Sequence, residues 1–137
     1  MNQNLILIPV LAQILLTLLV YVLLLARKSR AVKAREVDQA RRDLHDDAWP
    51  DYVLQVNNNI RNQFQVPILF YVLCLSLRVM SAVDGYAVGL ATAFVISRGV
   101  HAYVHNTSNY VPVRRRVFTA GVVLLAGLLG LTTIRAL

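Results

Sequence analysis

The chain has 137 residues, 57% of them apolar and 15% charged, more apolar surface than the core of a soluble domain of this size takes up. Fourteen Lys and Arg against seven Asp and Glu give a net charge of +7, but the basic residues flank apolar runs and alternate with acids, a juxtamembrane pattern that suits anionic lipid headgroups. An ordinary soluble globule and a nucleic-acid partner are thereby excluded, and the expectation is one integral membrane domain over residues 1–137.

The first apolar run, Leu5 to Ala26, begins a set of four, followed by Val66 to Val83, Gly85 to Val104 and Val117 to Ile134. Each approaches the ~20 residues that a helix needs to cross the hydrocarbon of a bilayer. Pro9 and Gln13 interrupt the first run, but proline is tolerated in the first turns of a helix. The run is also longer than the apolar core of a secretory signal and ends in Arg27 with no small-residue cleavage motif, so it reads as a retained span.

Arg27 to Asp47 contains neither glycine nor proline and draws on the helix formers Ala, Arg, Lys, Glu and Gln, which predicts that helix one continues out of the membrane until Trp49-Pro50 ends it. Tyr52 to Phe64 reads as the polar beginning of the second helix, which enters the bilayer near Val66. Within it Asn58, Asn62 and Gln65 fall at i, i+4 and i+7 with Arg61 beside them. Such a stripe serves either hydrogen bonding between helices or a polar ligand at the membrane surface. Cys74, the single cysteine, excludes an internal disulfide and reads as a packing residue. Arg78 lies about a turn from the end of its span, within reach of the interface.

The short link from Ser81 to Tyr86 makes the second and third spans antiparallel neighbours. The third span ends in Arg98, His101 and His105, at i, i+3 and i+7, where an uncompensated charge would be costly in hydrocarbon. They must face protein or a polar cavity. Two histidines one turn apart lack further ligands beyond the distant His45, so no metal site is expected. His105 to Pro112 has the composition of a turn. The triple arginine Arg114 to Arg116 then precedes the fourth span, whose Gly121, Gly127 and Gly130 suit close helix approach.

The loop after span one, with Arg61, and the loop after span three hold most of the Lys and Arg. The positive-inside rule places both in the cytoplasm and both termini outside it. No nucleotide loop, catalytic triad order or pair of intramembrane carboxylates is legible. A transporter or channel component finds no support either, since no broken span is apparent.

Two motifs remain: Arg61-Asn62-Gln63-Phe64-Gln65-Val66-Pro67-Ile68-Leu69-Phe70-Tyr71, and Arg98-x-x-His101 followed by His105-Asn106-Thr107-Ser108-Asn109 and Arg114. Both resemble the MAPEG family, the membrane-associated proteins of eicosanoid and glutathione metabolism. The resemblance implies an all-α four-helix membrane bundle assembled as a homotrimer, with glutathione as cosubstrate between subunits and a lipophilic substrate arriving from the bilayer. It implies that Arg98 and Arg114 hold carboxylates or the thiolate, as the catalytic pair. Asn62 and Gln65 would fix the peptide backbone, while Asn58, Arg61, His101 and His105 complete the binding wall. The chain also departs from the family pattern. Asn58 stands where an arginine is usual, Gln65 where a glutamate is usual, and His105 where a tyrosine is common. Two readings are therefore open: a glutathione-dependent transferase or peroxidase, or a non-catalytic scaffold or lipid-binding subunit of the same fold.

Overall fold

The computed structural model describes residues 1–137 and is all-helical. After a 3-10 turn over Gln3–Ile6, α1 runs over Leu7–Lys33, α2 over Asp51–Gln63, α3 over Val66–Val79, α4 over Gly85–Asn106 and α5 over Val111–Ala136. By length and composition four helical stretches can cross a membrane: Gln3–Lys33, Asp51–Val79, Gly85–Asn106 and Val111–Ala136. The four expected spans are present, each longer than its apolar run because polar turns continue the helix past the hydrocarbon.

Three local expectations are corrected. Helix one does not extend to Asp47. It stops at Lys33, where Arg35 takes a left-handed conformation (φ 57°) and the Glu36 and Arg35 amides donate back to the carbonyls of Ala31 and Val32. This is a Schellman-type ending. It turns the chain so that Val37, apolar in a polar stretch, is buried with Ala31 and Val53 in the core. Trp49-Pro50 consequently begins a helix, with Pro50 at the N-cap of α2.

Second, the second helix is not continuous: it breaks at Phe64–Gln65 between α2 and α3, just before the apolar run that begins at Val66. Pro67 lacks an amide hydrogen for the Gln63 carbonyl, and its ring would clash there. The freed end is secured by side chains. Gln13 donates to Gln63 Oε1 (2.9 Å), Gln63 donates to Asn59 Oδ1 (3.1 Å), and Asn59 donates to the Ala102 carbonyl (3.2 Å). This chain of amides crosses α1, α2 and α4 between two apolar clusters, one around Phe70, Phe94 and Leu128, the other around Val20, Val53 and Val56.

Third, the triple arginine does not precede helix four but lies inside it, because α5 starts at Val111 with Pro112 in its first turn. Pro112 is suited to that place, where no intrahelical donor is required. Helices α4 and α5 pack along their length. A Cβ on Gly121 would lie 2.9 Å from Ser97 Oγ, so glycine permits that approach, whereas Gly130 faces open space.

Polar ties close both ends of the bundle. Arg27 on α1 donates to the Tyr52 carbonyl (2.7 Å) and to the Asn106 carbonyl at the end of α4. At the opposite end Arg78 donates to Asn4 Oδ1 (2.9 Å) and Arg135 pairs with Asp84.

Candidate functional site

Beside the α2–α3 break, at the end of the bundle that carries Arg27, a cleft of about 470 Å³ opens between α2, α4 and α5. Helix α2 and the break supply Asn58, Arg61, Asn62 and Gln65, the stripe at i, i+4 and i+7 with its neighbour. Helix α4 supplies His101 and His105, and α5 supplies Val111, Arg114, Arg115 and Phe118. The last four sit at i, i+3, i+4 and i+7, one face of a helix. Seven of the eight residues singled out in the sequence share this wall. The eighth, Arg98, lies behind it.

Arg98 is 1% exposed, and no carboxylate meets it. Its Nη2 donates to the Asn62 carbonyl (3.3 Å), its guanidinium carbon sits 5.7 Å from the centre of the Phe118 ring, and its Nε has no partner. It thus touches two residues of the wall, one on α2 and one on α5. A residue so placed sets the spacing of the wall and adds positive charge beneath it.

His101 is 3% exposed, lines the cleft, and leaves both ring nitrogens without a hydrogen-bond partner. Buried polar atoms are nearly always paired, so an unpaired imidazole at a cleft wall marks a place where a ligand or water completes the bonding. Its ring meets His105 edge to face at 5.5 Å and Phe118 at 5.6 Å. His105 Nδ1 lies 3.4 Å from Asn62 Nδ2, and Gln55 holds the His105 carbonyl (2.6 Å).

The arginines differ in freedom. Arg61 pairs with Asp46, which also accepts from Asn57 (3.3 Å). Arg114 donates to Asn109 Oδ1, an asparagine in the left-handed conformation (φ 50°) of the α4–α5 link. Arg115 is exposed and has no side-chain partner in the chain. The wall therefore offers guanidinium and amide donors to anionic oxygens, with the imidazoles deeper. Forked donation from guanidinium suits carboxylates, and adjacent positive charge favours thiolate over thiol.

Val111, Arg115 and Phe118 escaped the sequence reading, which began helix four at Val117. Had Pro112 been read as a first-turn residue, their helical spacing with Arg114 would have been visible. Arg27, Gln55 and Gln63, which fix α2 against its neighbours, were also missed. Nothing in their spacing separates them from surface residues.

Among known proteins, the model of the MAPEG family matches residues 5–134. No curated protein and no solved structure matches the chain.

Proposed function

The chain belongs to the MAPEG family, and from that membership and the cleft we propose that it is a glutathione-dependent transferase or peroxidase acting on lipophilic electrophiles. The carrying observation is the convergence of Asn58, Asn62, Gln65, Arg114 and the unpaired His101 on one cleft. Its volume lies within the range of ~300–1,000 Å³ of small-molecule sites.

In this reading Arg114 and Arg115 bind the carboxylates of the tripeptide, while Asn62, Asn58 and Gln65 bond its amides. The positive charge of Arg114, with Arg98 behind the wall, favours loss of the thiol proton to water. The thiolate then attacks an electrophilic carbon, forming a C–S bond as the leaving group departs with its electron pair. With a lipid hydroperoxide it attacks the terminal peroxide oxygen instead, breaking the O–O bond as the lipid alkoxide leaves and is protonated to the alcohol, and a second thiol condenses with the resulting sulfenic acid to a disulfide and water. The lipophile reaches the cleft from an apolar groove of about 430 Å³ deeper between α3 and α5, lined by Leu69, Val72 and Val122 among others. Phe118 of the cleft and Val122 of the groove are one helical turn apart on α5, so the groove starts where the cleft ends.

The assembly belongs to the same proposal. Long rows of exposed apolar residues, such as Leu11, Leu15, Leu18, Val22 and Leu25 on α1, are divided between lipid and two further copies in a homotrimer. The basic end, with its cleft, faces the cytoplasm. Calorimetric titration of the detergent-solubilised protein with glutathione, and turnover of an aromatic electrophile, test the function. Saturable binding and conjugate formation are expected. No binding at ~10 mM glutathione, where even an affinity weaker than ~4 kcal/mol would register, together with no turnover, rejects it. Lipid retained in the groove without either activity would favour the scaffold reading.

A further inference from the structure

The chain has seven Asp and Glu side chains, and none lines the cleft. Asp84 pairs with Arg135 at the far end of the bundle. The other six fall between Glu36 and Asp51. Of these, Asp46 is taken by Arg61 and Asn57, Asp47 by Arg41 (2.8 Å), and Glu36 by the Tyr52 hydroxyl (2.6 Å). The cleft wall itself carries three guanidinium groups, with that of Arg98 behind, and its neutral polar members are amides and imidazoles. With Arg61 paired to Asp46, the free positive charge of the wall is that of Arg115 and Arg114, and within this chain an ammonium group meets no unpaired carboxylate there. An ammonium held there keeps the repulsion of the arginines and loses water.

Building on the glutathione reading above, we propose that the cleft has no subsite for an ammonium group and selects thiols that carry carboxylates but whose amine is absent or acylated. The free α-amine of glutathione is then a burden on binding. Gln65 decides this preference, because it lies at the break, exposed on the cleft wall, and offers an amide of nearly the size of a carboxylate side chain. A carboxylate there would supply the missing partner.

The test uses three probes on the full-length solubilised protein: glutathione, N-acetylglutathione, and glutathione with both carboxylates methylated. N-acetylation should tighten binding at least about threefold, and methylation should weaken it at least about tenfold, each read directly as a ratio of Kd values. Gln65→Glu, checked for an unchanged elution profile, should reverse the first ratio so that glutathione binds more tightly than its N-acetyl form. Equal or tighter binding of glutathione by the unmodified protein overturns the proposal and leaves the glutathione reading standing. So does a ratio that Gln65→Glu does not move, or a diester that binds as well as the diacid. If no thiol binds, the glutathione reading falls and this inference with it, a result distinct from a preference for the free amine.

Discussion

At the scale of single residues, Arg98 and Arg114 share a charge but not a place. Arg98 is buried behind the wall, bonded to a backbone carbonyl and set beside the Phe118 ring, with no counter-ion. Replacing even a buried ion pair by apolar groups of similar volume is often neutral or stabilising, by ~1–4 kcal/mol, and Arg98 lacks the partner that would offset its desolvation. Arg98→Met is therefore expected to keep or raise the thermal midpoint in detergent while lowering affinity for a carboxylate-bearing thiol by about tenfold, because Asn62 and Phe118 lose their common spacer. Arg114→Met removes a group from the wall itself, partly exposed and tied only to Asn109. Its stability should stay within about 0.5 kcal/mol of the parent, as for other surface changes, while the loss of affinity is as large. Thermal unfolding with and without ligand reads both. An Arg98→Met protein that binds normally would remove Arg98 from the site.

Among elements, the close contact of α4 with α5 holds the cleft open at one width. Gly121→Ala would place a methyl 2.9 Å from Ser97 Oγ, whereas the next neighbours, Ser97 Cβ and Arg98 Cδ, are at 3.9 and 4.0 Å. Overpacking of this kind costs about 1–3 kcal/mol. Adding Ser97→Ala removes the only atom in conflict, so the double variant should recover to within ~0.5 kcal/mol, and a double variant as unstable as Gly121→Ala would refute the contact. The amide chain from Gln13 to Gln63 is the corresponding tie at the α2–α3 break. Gln13→Leu strands Gln63 Oε1 and should destabilise by about 0.6 kcal/mol, and by no more than ~1.7 kcal/mol, the average and the upper end for hydrogen bonds between membrane helices. These ties also show what the sequence could disclose. Apolar runs of bilayer length and stripes at helical spacing depend on local periodicity, so the four spans and the wall of Asn58, Asn62, Gln65, His101 and His105 were legible. The stop at Arg35, the break before Pro67 and the burial of Gln13 and Gln63 depend on what lies across the bundle. Pro67 alone carried a local signal, the carbonyl it leaves unpaired at Gln63.

For the whole molecule, folding sorts charge between two ends. The Arg27 ties to α2 and α4 bring the basic residues of the first loop together with Arg114 to Arg116, whereas Arg78 and Arg135 sit at the other end on Asn4 and Asp84. Eleven of the fourteen Lys and Arg thus lie at the cleft end, two at the opposite end, and Arg98 inside. Juxtamembrane Lys and Arg are retained on the cytoplasmic side, so the cleft should open toward the cytosol. With the buried Cys74 replaced by Ser, single cysteines at exposed Tyr86 and Ser108 mark the two ends. In intact cells a membrane-impermeant maleimide should label Tyr86→Cys at once and Ser108→Cys only after permeabilisation. The opposite pattern would turn the arginine wall away from any thiol dissolved in the cytosol. The cleft would then have to draw its anion from the outer leaflet or beyond it, and lipid headgroups would become its natural ligands.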